Sequence, residues 1–204
     1  MIRECKQRAK AALGGKIFGN IWLFAVLAAI LYAAIEAGAG TVIPGLGIFI
    51  IMGPISYGVS FIFLKNARTG CGIDLSDLFR GFKDDFGGTL LIGLMSSLFS
   101  ILWGLLLVIP GIVKAYGYSM AYYIKIDHPD YDWRTCLSES QRMMKGHKMQ
   151  CFLLDLSFIG WFFVSALCLA VGSFWVIAWV EAATAEFYEA LSSEPQVLPD
   201  WEVR

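Results

Sequence analysis

Long apolar runs divided by short charged segments constrain this chain more than any other feature of its sequence. The runs Ile17–Ala37 and Thr89–Ile109 each match the roughly 20 helical residues that cross the hydrocarbon core of a bilayer. Of the 204 residues, 57% are hydrophobic and 16% are charged, against about 45–50% and about 25% in soluble domains. The excess of apolar side chains predicts an all-α protein that faces lipid.

The sequence predicts six transmembrane helices, arranged as three hairpins, in a single domain over residues 1–191. Residues 192–204, which contain two prolines and several acids, are predicted to form a cytosolic tail. Pro-Gly and Gly-Ser pairs turn the chain, so the tips are predicted at Pro44-Gly45, Pro110-Gly111 and Gly172-Ser173. The predicted spans are Ile17–Ala37, Ile48–Leu64, Thr89–Ile109, Ile112–Ile126, Met149–Val171 and Phe174–Leu191.

A repeated tetrapeptide suggests internal repetition. Val-Ile-Pro-Gly stands at 42–45 and again at 108–111, and a degenerate copy, Val176-Ile177-Ala178, follows. The spacing predicts three repeats, at residues 1–66, 67–132 and 133–191. Coincidence in so apolar a chain remains open as the alternative.

Two amphipathic segments lie between the hairpins. The first carries an apolar stripe at helical spacing and is predicted to lie on the inner leaflet, with Asp74 or Ser76 as its cap. Its stripe consists of Leu75, Leu78, Phe79, Phe82 and Phe86. The second segment places Trp133, Cys136, Leu137, Ser140, Met144 and His147 on one side. Membrane-surface contact is predicted for Arg80, Lys83, Arg142, Lys145, His147 and Lys148.

The distribution of basic residues predicts the orientation. All Lys and Arg lie in the N-terminal segment, the two segments between hairpins or the C-terminal tail, except Lys114 and, at the inner end of the same predicted span, Lys125. Cytosolic loops carry the excess of basic residues in membrane proteins. Both termini and both amphipathic segments are therefore predicted to be cytosolic.

Ionisable groups inside the predicted spans are the candidates for a functional site. Five of these groups, Lys114, Glu181, Glu186, Glu36 and Asp155, are taken as the candidate site residues. Snorkelling to the outer surface is one reading of Lys114 and Glu36. The other reading pairs Lys114 with Glu181 across a cavity that would hold an anionic headgroup or a peptide carboxylate.

Other chemistries find little support in the sequence. His147, Cys151 and Asp155 share one helix face and are metal-ligand types, but no fourth ligand is in view, so neither a metal site nor a cofactor is predicted. A net charge of −1 and the lack of binding motifs argue against nucleic acid as a partner. There is no nucleophile elbow, HExxH motif or phosphate-cradling glycine loop.

Three stretches resemble the bacterial membrane family labelled domain of unknown function 975. They are Ile109–Lys114 with Tyr118–Tyr123, Ser140–Lys148 and Ala183–Tyr188. The chain is also distantly similar to the membrane portion attached to some glycerophosphodiester phosphodiesterases, although the catalytic carboxylates and histidines of those enzymes have no counterpart here. The resemblance implies a multi-pass helical protein of the bacterial cytoplasmic membrane and brings no established activity.

Three classes of function remain. The first is a non-enzymatic module that binds membrane lipid, a hydrophobic peptide or another membrane protein. The second is a small transporter or exporter of a hydrophobic or anionic substrate, which three parallel hairpins without a broken helix pair fit less well. The third is an intramembrane enzyme.

Overall fold

The computed structural model describes residues 2–12, 26–27, 30, 46–70, 73–167 and 171–193. Every regular element within these ranges is helical, which confirms the predicted all-α class for this part of the chain. The predicted first span lies almost wholly outside the described residues. Its tip at Pro44-Gly45 and the tail from residue 194 onward lie outside them entirely.

Ten α-helices and one 3₁₀ turn are formed by the described residues. They are α1 (Ile2–Ala12), α2 (Leu46–Thr69), the 3₁₀ turn (Leu75–Phe79), α3 (Arg80–Lys83), α4 (Phe86–Leu106), α5 (Val108–Tyr118), α6 (Ala121–Asp127), α7 (Trp133–Met143), α8 (Lys148–Leu156), α9 (Ile159–Leu167) and α10 (Val171–Ser193). Among the residues described, α4 alone is long and apolar enough to cross a membrane. The prediction of six transmembrane helices is therefore not confirmed.

Two of the predicted spans are broken. The predicted span Ile112–Ile126 is divided at Ser119-Met120, where α5 ends and α6 begins. The predicted span Met149–Val171 is divided at Ser157-Phe158, between α8 and α9. Apolar residues continue across both breaks, so hydropathy alone could not reveal them.

The tip of the α4–α5 hairpin lies at Leu107, three residues before the predicted Pro110-Gly111. Leu107 is extended, with φ −156° and ψ 128°, and α5 begins with the next residue. Pro110 fits the first turn of α5, where a backbone N–H would lack a helical acceptor. Gly111 allows the two helices to approach closely, because a Cβ there would lie 2.5 Å from the Cα of Gly104.

The predicted third tip is also misplaced. Gly172 and Ser173 belong to the first turn of α10, and Val176–Ala178 lies further along the same helix. The lack of a side chain at Gly172 instead permits close contact with α9, since a Cβ there would lie 3.1 Å from the Cβ of Ser165.

The first amphipathic segment is not one continuous helix. A 3₁₀ turn and the short α3 replace it, and Phe86 already belongs to α4. The predicted cap is confirmed at Asp74, whose carboxylate accepts a hydrogen bond from the N–H of Ser76 at 3.0 Å. Leu78 is fully buried, where the lack of a side chain at Gly58 lets α2 approach its backbone. The rings of Phe79, Phe82 and Phe86 remain exposed.

Helices α2 and α7 both pack against the α4–α6 region. Helix α2 meets the first half of α4, where a Cβ on Gly53 would lie 2.6 Å from the carbonyl oxygen of Thr89. Helix α7 contacts α4, α5 and α6 and buries Cys136, Ser140 and Met144 completely. Burial raises the pKa of the Cys136 thiol to about 11.

Ion pairs join the helix ends farthest from the Leu107 tip. Arg68 of α2 donates two hydrogen bonds to Asp127 at 2.6 and 2.8 Å and one to Glu189 of α10 at 2.5 Å. The hydroxyl of Tyr188 donates to Asp127 at 2.7 Å. Burial alone would raise the pKa of Asp127, but the hydrogen bonds from Arg68 and Tyr188 outweigh it and hold that pKa below its ordinary value.

A buried lysine forms a second polar link at the same end. Lys125 is only 4% exposed, and its ammonium contacts Asp85 at 2.7 Å and the carbonyl oxygens of Pro129 and Tyr131 at 2.8 and 2.9 Å. Asp85 also caps α4, because its carboxylate accepts from the N–H of Gly88 at 2.9 Å. The start of α4 is thus tied to the end of α6.

At the other end of the α4–α5 hairpin, the side chains are apolar and exposed. We call residues 98–113 the hairpin tip. Leu105 is 85% exposed and Ile109 is 76% exposed, and Leu98, Ile101, Leu102, Leu106, Leu107, Val108, Ile112 and Val113 are exposed as well. This is a large apolar surface concentrated on one protruding element.

We expect Gly111→Ala to lower the thermal unfolding temperature of the protein in detergent by several degrees. The added methyl group would meet the backbone of Gly104 and force α4 and α5 apart. The matched control is Gly104→Ala, whose Cβ would meet nothing within 4 Å and which gains about 1 kcal/mol of helix propensity. Equal unfolding temperatures for the two variants would contradict the hairpin geometry.

Candidate functional site

A cavity of about 270 Å³ lies between α2, the α5–α6 break and α10. In the part of the chain that the structure describes, its walls combine apolar side chains with four serines or threonines, two tyrosines and a single charged residue, Glu181. The hydroxyl-bearing residues are Ser56, Ser60, Ser119 and Thr184. At about 30 Å³ per water molecule, the cavity has room for a small polar group and not for a long chain.

Glu181 gives the cavity its electrostatic character. Among the described residues, the cavity lining includes no Lys, Arg or His. No hydrogen bond or ion pair joins the Glu181 carboxylate to another residue within the described ranges. The rings of Tyr122 and Tyr123 stand in the same wall. A negative group without a basic residue in the described lining favours a cation and disfavours an anion.

The break between α5 and α6 lies at the edge of this cavity, and a side chain from α7 completes its hydrogen bonding. The hydroxyl of Ser140, which is fully buried, donates to the carbonyl oxygen of Gly117 at 2.8 Å. The same hydroxyl accepts from the N–H of Met120 at 3.2 Å. Backbone groups freed by a helix break need such partners when water is excluded. Ser119, between these two residues, lines the cavity.

Lys114 does not pair with Glu181. Its ammonium donates to the Oε1 of Gln141 at 3.2 Å and lies 5.5 Å from the centre of the Trp103 ring. Gln141 belongs to α7, so the contact places Lys114 beside the second amphipathic segment. The predicted cavity for an anionic headgroup between Lys114 and Glu181 is therefore not formed.

The residues predicted to contact the membrane surface fall into two groups. Arg80 pairs with Asp84 at 2.9 Å and covers the ring of Phe61 at 4.1 Å, while Lys83 is exposed. The others follow α7: Arg142 is exposed and pairs with Glu139 at 2.7 Å, Lys145 is exposed, and His147 and Lys148 are half-buried.

Lys148 lies close to Lys114. A Cβ on Gly117 would lie 3.3 Å from the Lys148 Nζ, which places that ammonium beside α5. Burial, and after it the positive charge of Lys114, lowers the pKa of Lys148. We call Lys114, Arg142, Lys145 and Lys148 the basic collar. Lys114 and Lys148 lie together beside α5, and Arg142 and Lys145 stand in the last turn of α7 and just after it.

The remaining candidates lie apart from one another. Asp155 accepts a hydrogen bond from the hydroxyl of Tyr116 at 2.8 Å. Glu186 is buried on α10 within electrostatic reach of Arg8 of α1. Glu36 lies outside the described residues.

The described ranges contain no group of three or more His, Cys, Asp or Glu side chains that could hold a metal ion. His147 instead contacts the Oε1 of Gln150 at 3.3 Å, and Asp155 binds Tyr116. Three of the sequence's five cysteines, Cys5, Cys136 and Cys151, are buried free thiols.

Sequence reasoning did not identify Lys125, Gln141 or Lys6 as structurally important. Lys6 lies on α1 with its ammonium 4.1 Å from the ring centre of Phe158 and 5.3 Å from that of Trp179. A usable signal existed only for Ser140, a polar residue within the apolar stripe of α7. Nothing in the sequence pattern indicated which helix that stripe would cover.

Comparison with known proteins supports the family resemblance in part of the chain. Residues 104–195 match the sequence model of a family described as a protein of unknown function (DUF975). The predicted resemblance is therefore confirmed over α5 to α10, which include Ser140, the basic collar and Glu181. No curated protein and no solved structure matches the chain, so the likeness to the phosphodiesterase-attached membrane portion gains no support.

We expect Ser140→Ala to destabilise the protein by about 1–3 kcal/mol, because two buried backbone groups lose their partner. Thermal or denaturant unfolding in detergent measures the change. Ser138→Ala is the matched control on the same helix, since the Ser138 hydroxyl is exposed and bonds only to the carbonyl of Thr135. Comparable losses in both variants would show that the Ser140 contact is not special.

Proposed function

We propose that this protein is a non-enzymatic module of the bacterial cytoplasmic membrane that binds a small amine in the Glu181 cavity. The amine is either free or carried by a lipid headgroup such as ethanolamine. The observation that carries the proposal is a lone carboxylate in a cavity otherwise lined by hydroxyl groups, tyrosines and apolar side chains.

The chemistry of the lining supports an ammonium ligand. A carboxylate supplies the charge-assisted hydrogen bond that an ammonium forms most strongly. Hydroxyl oxygens at Ser56 and Ser60 can accept its other protons. An anionic substrate would meet Glu181 with no basic residue in the lining to compensate.

The size of the cavity supports the same ligand class. Pockets for drug-sized molecules measure about 300–1,000 Å³, and this cavity measures about 270 Å³. A headgroup or a short amine fits this volume, while an acyl chain would have to remain outside. A lipid would therefore be held by its polar end.

The cavity lining gives little support to catalysis. Its described residues supply hydroxyl groups and one carboxyl group, but no His, Lys or Cys that could activate or replace a hydroxyl nucleophile. The hydroxyl of Ser119 donates to the carbonyl of Tyr116, and that of Thr184 donates to the carbonyl of Val180. Binding without reaction is the simpler function for this arrangement.

One observation favours transport as the second candidate. The cavity adjoins the Ser119-Met120 break, and a second break separates α8 from α9. Discontinuous helices commonly form the substrate sites of secondary transporters. Uptake of labelled methylamine into liposomes containing the protein, above that into empty liposomes, would favour transport over binding alone.

Native mass spectrometry of the protein in mild detergent tests the amine proposal directly. With phosphatidylethanolamine and phosphatidylglycerol added in equal amounts, we expect an adduct of phosphatidylethanolamine that Glu181→Gln loses. Glu139→Gln, which removes the same charge from the surface of α7, should retain it.

The same experiment separates the two sources of amine. If free ethanolamine raises the unfolding temperature of the wild type and not of Glu181→Gln, the ligand is water-soluble. If only the lipid binds, the site recognises a headgroup. Equal binding by wild type and Glu181→Gln, or no binding of either amine, would overturn the proposal.

A further inference from the structure

We propose that the hairpin tip enters one leaflet of the membrane from the cytosolic side and does not cross to the other face. The basic collar would lie among the anionic headgroups of that same leaflet. The inference rests on the membrane location in the proposed function, but it is independent of the amine site.

The contacts of α7 show how far along the α4–α5 hairpin this polar helix extends. Ser140 bonds to Gly117 and Met120, and Gln141 bonds to Lys114. Helix α7 therefore lies beside α5 and α6 as far as Lys114. It does not lie on a surface beyond the end of α6.

The outward side of α7 is polar along this length. Arg134, Ser138 and Arg142 are exposed there, and charged side chains are strongly unfavourable in hydrocarbon. The part of α5 and α6 that α7 covers is consequently not surrounded by lipid. Only the part of the hairpin beyond Lys114 remains available to enter the bilayer.

That remaining part is too short to cross a bilayer. Seven residues separate Lys114 from Leu107, which at about 1.5 Å per residue gives a height of about 10 Å. The hydrocarbon core is about 30 Å thick, so each leaflet contributes about 15 Å. The hairpin tip matches one leaflet.

The composition of the hairpin tip fits immersion in hydrocarbon. Residues 98–113 contain no charged side chain, and the five residues Leu105–Ile109 at the turn are all apolar and exposed. Both backbone groups of Leu107, at the turn, are hydrogen-bonded. Its N–H donates to the Trp103 carbonyl at 2.9 Å, and its C=O accepts from the Gly111 N–H at 3.1 Å. An outer loop in water would gain nothing from these features.

Charge complementarity identifies the occupant of this surface as an anionic leaflet. Lys114 and Lys148 of the basic collar lie at the base of an apolar projection, where Trp103 lies beside Lys114. Basic and aromatic side chains at the edge of an apolar insertion are typical of contact with anionic headgroups. The exposed apolar side of α8 continues this surface, because Phe152 contacts Tyr116 of α5.

Fluorescence depth measurement tests the inference. Val108→Cys, labelled with a nitrobenzoxadiazole dye, is reconstituted into liposomes of phosphatidylethanolamine and phosphatidylglycerol. Cys71 and Cys168 are replaced by alanine, and the three buried thiols remain. Ser138→Cys on the outward side of α7 is the matched control.

We expect the dye at position 108 to be quenched by lipids brominated near the ends of their acyl chains. It should also be protected from dithionite supplied on either side of the liposome, while the dye at position 138 is reduced from one side. Reduction of the position-108 dye from the side opposite to position 138 would overturn the inference, because the hairpin would then cross.

Two other outcomes would also overturn it, and they are distinguishable. Protection from dithionite without quenching by brominated lipid would mean that a second copy of the chain covers the tip. Failure of the protein to associate with the liposomes at all would contradict the membrane location in the proposed function itself.

Discussion

The break between α5 and α6 frees the carbonyl of Gly117 and the N–H of Met120 in a buried part of the molecule, and the hydroxyl of Ser140 pairs with both. An unpaired buried backbone group costs about as much as a lost hydrogen bond. The chain can leave the helical path at Ser119 only because α7 packs against the break and supplies the Ser140 hydroxyl. The cavity beside Ser119 therefore depends on the hydrogen bonds of Ser140, a residue of α7 that is not among its lining residues.

The same contact sets the height of α7 on the hairpin, and through it the position of the basic residues. Gln141 follows Ser140 and reaches Lys114, and the turn after α7 brings Lys148 to the same level. Lys114, which the distribution of charge along the sequence left unassigned, thus lies beside Lys148 of the collar. This agrees with an excess of positive charge on one side of the membrane.

Sequence patterns predicted the helical class and the helix α4 well, because a long uninterrupted apolar run has few alternatives to a helix. They failed at the breaks, since Ser119-Met120 and Ser157-Phe158 interrupt hydrogen bonding without interrupting hydropathy. The apolar stripe of α7 was visible in the sequence. Such periodicity predicts which face of a helix is buried, but it does not predict which other helices that face packs against. Neither sequence reading of Lys114 named its contact with Gln141, because that residue is uncharged and 27 residues distant.

The central claim is that α7 lies beside α5 at the level of Lys114, and cross-linking in intact cells tests it most directly. The variant carries Lys114→Cys and Gln141→Cys, with Cys71 and Cys168 replaced by alanine, and is treated with a short membrane-permeant thiol cross-linker. We expect a linked pair of tryptic peptides that contain positions 114 and 141. Labelling of position 114 by an impermeant maleimide from outside the cell, with no linked peptides, would contradict the account.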